Sequence, residues 1–254
     1  MSTTGPVLDG DQAHGEQAHG EQDHGEQGRG DRTGAGRGVP HDVVHVVRHG
    51  EVHNPDRILY GRLADYHLSE RGREMADRVA EHLADRDVRL VTASSLDRAQ
   101  ETAAPVAAAH GVGLHTDDRI IEAGNRFEGR RFGEGQGSLR NPGNWWLVRN
   151  PFRPSWGEPY AQIARRMREA VADARRAAHR LYGGGEVVLV SHQLPIETLR
   201  RSLEGRHLWH DPRHRHCNLA SVTTLTYAGD DLVSIAYSEP AADLLPGAAS
   251  TPGA

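Results

Sequence analysis

The chain has 254 residues and a formal net charge of −5, enough for one large domain, or two small ones, with a full core. Residues 1–38 carry seven acidic side chains against three arginines, which places −4 in that stretch and about −1 in the remainder; a near-neutral body argues against a broad basic face for nucleic acid. All 30 basic residues are arginines, which excludes a Schiff-base lysine and the lysine of a nucleotide-binding P-loop.

In chain order, residues 10–34 fall into pentads, GDQAH, GEQAH, GEQDH, GEQGR and GDRTG. Glycine every five residues with no aliphatic side chain larger than alanine cannot build a core, so residues 1–38 read as a disordered, solvated tail. Val43–Arg48 is a continuous apolar run that ends on Arg48, His49 and Gly50, as a buried strand does when it aims chemistry at its carboxyl end. Ser69 reads as the N-cap of a helix over 69–84, with Met75, Val79 and Leu83 at helical spacing. Val88–Ala93 reads as a second strand, and Leu96–His110 as an alanine-rich helix closed by Gly111. A long helix is expected from about Pro159 to Leu181, before Gly183-Gly184-Gly185. Glu186–Ser191 reads as a third buried strand leading through His192 into a helix over 195–203.

Cys217 is the only cysteine, so neither an intrachain disulfide nor a multi-cysteine zinc site can form; it reads as a small apolar filler. Ser221–Tyr227 and Leu232–Tyr237 flank Gly229-Asp230-Asp231 as an antiparallel hairpin, and residues 241–254 read as a second disordered tail. Strands alternating with helices predict an α/β fold, a three-layer α/β/α sandwich around a mostly parallel sheet. No apolar stretch approaches the ~20 residues of a membrane span, and residues 1–38 lack the apolar core of a signal peptide. A soluble, cytoplasmic protein with no membrane or nucleic-acid partner is expected.

The three predicted strands end on similar groups: Arg48 and His49, then Ser94-Ser95-Leu96-Asp97-Arg98, then Ser191-His192. A βαβ topology gathers such ends at one edge of the sheet. Two guanidiniums and two imidazoles around one point suit a dianion, and arginine forks fit a phosphoryl group two oxygens at a time.

These residues resemble the histidine phosphatase superfamily, which includes the cofactor-dependent phosphoglycerate mutases. The matching pieces are RHGE at 48–51, GRLADYHLSERG at 61–72, SSLDRAQETA at 94–103, IIEAGNRFEG at 120–129 and VLVSH at 188–192, in the family's order. The resemblance spans residues 39–240 and implies the phosphoglycerate mutase-like fold, with phosphoryl transfer that needs no metal and no cofactor. It makes His49 the nucleophile that forms a phosphohistidine, and Arg48, Arg98 and His192 the groups that hold the transferring phosphoryl. It makes Glu122 the acid and base at the leaving and attacking oxygens, with nearby Glu128 as a rival for that position. The family commonly places an asparagine one residue beyond Asn54 and a hydroxyl residue where Val52 stands. Asn54 is therefore retained as a phosphate contact, against the alternative of a turn residue before Pro55.

Residues 123–160 hold all three phenylalanines, three of the four tryptophans and six arginines, and resemble the family's substrate-covering insertion. The 69 residues separating Glu122 from His192 look like the compact phosphatase branch. A phosphomonoester hydrolase acting on a small phosphorylated metabolite is the favoured expectation, with a mutase and a noncatalytic phosphate-binding scaffold as alternatives. The basic, aromatic stretch Leu208–His216 can line the pocket or an interface, and a homodimer is left open.

Overall fold

The computed structural model describes residues 41–131, 157–211 and 215–248. The pentad tail and residues 132–156, most of the aromatic and arginine-rich segment, lie outside the described residues. Six strands, β1 (His41–Arg48), β2 (Val88–Ala93), β3 (Leu114–Thr116), β4 (Glu186–Ser191), β5 (Val222–Ala228) and β6 (Asp231–Ser238), form one sheet in the order β3-β2-β4-β1-β5-β6. The first four of that order run parallel, and β5 and β6 add an antiparallel hairpin beside β1. Four helices cover it: α1 (Glu70–Leu83), α2 (Asp97–His110), α3 (Tyr160–Tyr182) and α4 (Gln193–Leu203).

The continuous apolar strands follow from burial on both faces. Val44 and Val46 of β1, with Val187 and Leu189 of β4, join Ile163, Met167 and Val171 of α3 and Ile196 and Leu199 of α4 in one core cluster. Val47, Val188 and Val190 point the other way, onto Met75, Val79 and Leu83 of α1 and Ala99, Ala103 and Val106 of α2. The result is the expected three-layer α/β/α sandwich. Full burial of a Val, Leu or Met side chain contributes roughly 1.5–3 kcal/mol, whereas an exposed ion pair contributes under about 1 kcal/mol, so these two clusters hold the layers together. Among the described residues, no helix is long and apolar enough to cross a membrane.

Ser69 caps α1, accepting from the backbone N–H of Gly72, and Gly111 closes α2 in the left-handed region at φ 63°. The last helix starts earlier than its proline suggests, at Gln193. Pro195 is then the third helical residue, where its missing N–H is one of the groups no helix satisfies internally. A correction applies to residues 241–254, expected as a disordered tail. Through residue 248 the chain is placed: Ala241 is buried, Ala242–Leu244 form a 3-10 turn, and Leu244, Leu245 and Ala248 pack on the α1 and α2 cluster. A few small apolar residues without periodicity give no sequence signal, yet they cover an otherwise exposed edge of the core. Residues 249–254 lie outside the described residues.

Candidate active site

Strand register builds the site. Arg48 of β1 pairs with Ser191 of β4, and Ala93 of β2 with Val190, so the three parallel strands end nearly level. His49, Ser94 and His192 therefore leave the sheet side by side. Backbone bonds fix the exits: His49 N–H donates to the Ser191 carbonyl at 3.1 Å, and Ser94 N–H to that of Val190 at 3.2 Å.

His49 is fully buried. Its Nδ1 lies 2.8 Å from the Gly50 carbonyl, an acceptor only, so Nδ1 carries the proton and Nε2 is left with its lone pair. That Nε2 is buried with no hydrogen-bond partner among the described residues. Burial first, and then the charges of Arg98 and Arg48, hold the imidazole well below the 6.5 of a free histidine. A neutral imidazole with a fixed tautomer and an ε nitrogen unpartnered among the described residues has the form that a nucleophile needs.

His192 faces it, with ring centroids 5.1 Å apart. Its Nε2 is 2.7 Å from Ser94 Oγ, and its buried Nδ1 has no partner among the described residues. Burial, followed by the charges of Arg98, His49 and Arg48, also keeps His192 well below its ordinary value. Arg98 lies on the first turn of α2, 1% exposed, with Nη2 donating to the Gly61 carbonyl at 2.6 Å. Its Nε and Nη1 are buried without partners among the described residues, and its guanidinium lies 4.7 Å over the ring of Tyr60. Arg48 donates from Nη1 to the Cys217 carbonyl at 2.7 Å. Buried polar groups are normally satisfied within the protein. A nucleophilic nitrogen, an imidazole nitrogen and one arginine edge left unmet around one point make a receptor for a tetrahedral oxyanion.

Glu122, 5% exposed, follows a 3-10 turn (Asp118–Ile120) and accepts from the Ala123 N–H at 2.7 Å. Burial raises its pKa against the opposing pull of the Ala123 amide and the charges of Arg98, Arg215 and Arg48. A carboxyl pushed toward its protonated form, in the field of the same two arginines that act on the neutral imidazoles, is the kind of pairing that can divide acid from nucleophile. Glu128 instead holds a turn, its Oε1 accepting from Asn125 N–H at 3.0 Å. Of the two glutamates, Glu122 is the buried one and Glu128 is engaged in the turn.

Asn54 is engaged in a turn. Its Nδ2 donates to the Ile58 carbonyl at 2.8 Å and its Oδ1 accepts from Ile58 N–H at 2.9 Å, so both ends of the amide staple a turn. Asn54 therefore fills the turn role, and these bonds use one of its two Nδ2 protons. Val52 has no polar part in the site: it is buried against Tyr60.

Three residues carry more of the site than their sequence signals announce. Tyr60 is buried 6.5 Å from His49 between ring centroids and forms a platform for Arg98; a lone tyrosine in a loop gives no hint of this. Ser94 opens the SSLDRAQETA piece, and nothing in that string singles out its hydroxyl. Arg215, in the stretch that suits either a pocket or an interface, meets Gln193 and feels the charge of Glu122. Its Nη1 donates to Gln193 Oε1 at 3.1 Å, and Gln193 in turn shares the Cys217 carbonyl with Arg48.

The family model described as "Histidine phosphatase superfamily (branch 1)" matches residues 44–239. "Uncharacterized protein Rv0525" of Mycobacterium tuberculosis is 61% identical over 200 residues, covering 78% of this chain and 96% of its own. "Probable phosphoglycerate mutase GpmB" of Yersinia enterocolitica is 31% identical over 187 residues, covering 70% and 83%. Among solved structures, a mycobacterial glucosyl-3-phosphoglycerate phosphatase superposes with a TM-score of 0.62 at 29% identity, covering 78% of this chain and 97% of that one.

Proposed function

Because the chain belongs to the histidine phosphatase superfamily, we propose that it is a phosphomonoester hydrolase that works through a phosphohistidine on His49. The observation that carries this reading is the state of that imidazole: Nδ1 tied to Gly50, Nε2 unpartnered, and the ring held neutral between two arginines. Nε2 attacks phosphorus as the bond to the leaving oxygen breaks, and Glu122 gives that oxygen its proton. Water then attacks the phosphohistidine, Glu122 takes the water's proton, and the N–P bond breaks to release phosphate. Arg48, Arg98 and His192 face the equatorial oxygens and supply the positive charge that the loose transition state needs. In this reading no metal takes part, and turnover is expected to persist with a chelator present.

The hydrolase reading is supported by the named activity of the mycobacterial structural neighbour, a phosphatase. The name of the Yersinia relative supports a mutase instead. A cytoplasmic setting and a small phosphorylated metabolite as substrate belong to the same proposal.

The test is phosphate release from p-nitrophenyl phosphate and from a panel of phosphorylated metabolites. His49→Ala is expected to lower the rate by at least about 10³-fold, the scale of losing a covalent nucleophile; activity surviving that change would sink the mechanism. Glu122→Gln should slow alkyl esters far more than nitrophenyl phosphate, whose leaving group needs no proton, and equal losses would remove Glu122 as the acid. Net isomerisation of 3-phosphoglycerate in the presence of 2,3-bisphosphoglycerate, without free phosphate, would establish the mutase.

A further inference from the structure

The segment that carries Glu122 has no regular structure to hold it. After the 3-10 turn Asp118–Ile120 the chain runs from Ile121 to Gly124 as neither helix nor strand, yet four of the six carbonyls from Arg119 to Gly124 are bonded outward, each to a different donor. Arg166 Nη1 of α3 donates to the Arg119 carbonyl at 2.6 Å and Ser191 Oγ of β4 to that of Ile120 at 2.6 Å. Arg62 Nε donates to the Glu122 carbonyl at 2.6 Å, and Glu158 N–H to that of Gly124 at 3.1 Å. Two of these donors are tied together by one carboxylate. Glu158 Oε1 accepts from Arg166 Nε at 2.8 Å, and its Oε2 from Arg166 Nη2 at 3.0 Å and from Arg62 Nη2 at 2.9 Å. The Arg166 contact is a two-bond fork that fixes the guanidinium plane. Its two side chains are 14% and 16% exposed, so salt screens the pair little.

An ion pair that served only to join two elements would need no bond to these carbonyls. Arg62 and Arg166 each turn one edge to Glu158 and another to the backbone at Glu122 or three residues before it. Glu158 therefore sets where both guanidiniums stand and, through them, where the turn stands. The Glu122 carboxyl has its own tie to that turn, the Ala123 N–H at 2.7 Å, so a displaced turn carries the carboxyl with it. We infer that Glu158 is a positioning residue, which through Arg62 and Arg166 holds the Glu122 carboxyl at the place where it meets the leaving oxygen. This rests on the hydrolase reading for the part that Glu122 plays, whereas the placement itself does not depend on turnover. Proton transfer needs the acid within hydrogen-bond reach of the oxygen, and a displacement of about 1 Å can lower a rate about 10²-fold. An ester whose leaving oxygen needs no proton is indifferent to that displacement.

The test compares kcat/KM for phenyl phosphate and for p-nitrophenyl phosphate on the full chain. Phenol, like a tyrosine side chain, has a pKa of about 10 and leaves poorly unless it is protonated; nitrophenol leaves without that help. Glu158→Gln should lower the phenyl phosphate value on the order of tenfold, the scale for an outer partner that fixes a reacting group, and leave p-nitrophenyl phosphate nearly unchanged. Arg62→Met, at a more exposed position, should do the same and carries the comparison if Glu158→Gln fails to fold. Glu158→Asp, which keeps the charge, should recover part of the loss. In a chain already carrying Glu122→Gln, the change Glu158→Gln should lower the phenyl phosphate rate little further, because its effect passes through Glu122. Equal losses on the two esters, no loss on either, or a full further loss in the Glu122→Gln chain would each overturn the assignment. Carbon NMR of the Glu122 carboxyl separates this inference from the reading beneath it. Glu158→Gln leaves two guanidiniums beside the turn without their counter-charge and opens the turn to water. Both changes favour the ionised form, so Glu122 should titrate at lower pH than in the wild type. If Glu122→Gln alone lowers both esters alike, or neither ester is hydrolysed, the hydrolase mechanism falls and this titration decides the placement by itself; an unchanged titration removes Glu158 from its role.

Discussion

Ser94 decides what His192 can offer a phosphoryl oxygen. A neutral imidazole has one N–H, and the pocket leaves Nδ1 without a protein partner among the described residues while Nε2 meets Ser94 Oγ at 2.7 Å. To donate to a phosphoryl oxygen, Nδ1 must hold the proton, and then the serine hydroxyl must donate to Nε2. Ser94→Ala removes that donor and leaves Nε2 buried and unmet in the very tautomer that phosphate requires. Phosphate affinity and kcat are both expected to fall on the order of tenfold, the usual scale for an outer partner that fixes a histidine. Nitrogen NMR of His192 with phosphate bound separates this from general damage: the wild type should show a protonated Nδ1, and Ser94→Ala a mixture. An unchanged tautomer would remove Ser94 from this role. At this scale the sequence is readable where chemistry and position coincide, as for Arg48, His49, Arg98 and His192. Asn54 reads two ways because an amide serves a turn as well as a phosphate, and its bonds to Ile58 show the turn. Arg215 stays undecided because nothing local in Leu208–His216 says that its guanidinium meets Gln193.

The loop after β1 and the start of α1 are built as one clamp. Ser69 N–H donates to the Glu51 carbonyl at 3.0 Å, and Ser69 Oγ to Glu51 Oε2 at 2.5 Å. Gly50 N–H is held from the other side by Thr102 Oγ1 of α2 at 3.1 Å. The backbones approach so closely that a Cβ on Gly72 would stand 2.0 Å from the Glu51 carbonyl oxygen, and one on Gly50 would stand 2.5 Å from that of Gly72. In an ordinary helix Gly→Ala stabilises by about 1 kcal/mol. Here the sign reverses: Gly72→Ala must push the loop after β1 off α1, at a net cost on the order of 1–3 kcal/mol, the range for overpacking. Urea denaturation checks this, with a fall in phosphate turnover expected alongside; a more stable Gly72→Ala protein would mean that the contact yields. The clamp explains why the pieces RHGE, LSERG and RAQETA are readable together, since each supplies an atom to hold another. The strands β1, β2 and β4 are legible from apolar runs that only two-sided burial allows. Leu114–Thr116 is not, because three residues, two of them exposed, carry neither periodicity nor a buried face. The packed stretch 241–248 is missed for the same reason: its fit to the core is a property of shape rather than pattern.

Across the whole molecule, the sheet's carboxyl edge concentrates charge that the fold must stabilise, and this sets how stability responds to pH. His49 and His192 are buried neutral with pKa values well below 6.5, whereas in the unfolded chain they titrate near that value. Below pH 6.5 the unfolded state therefore binds protons that the native state refuses. Stability contributed by the pair is fully present above 6.5 and is lost as pH falls from there toward the folded values, by up to about 1.4 kcal/mol per pH unit for each histidine. Glu122 acts in the opposite sense: its raised pKa removes stability as pH rises from 4.5 to its folded value, so acidification through that window recovers part of what the histidines lose. With two histidines against one carboxyl, the net contribution of the site still falls on acidification below 6.5. The double change His49→Gln and His192→Gln takes away the two bases while keeping Glu122, Arg48 and Arg98. Denaturant midpoints measured from pH 7 to pH 5.5 should fall more steeply for the wild-type protein than for the double variant. Inorganic phosphate should raise the wild-type midpoint, because its binding favours the folded state, and should raise that of the variant far less. Parallel pH profiles for the two proteins would show that the imidazoles take up protons in the folded state, and an imidazole that does so near neutral pH could not be the resting nucleophile of the proposed mechanism.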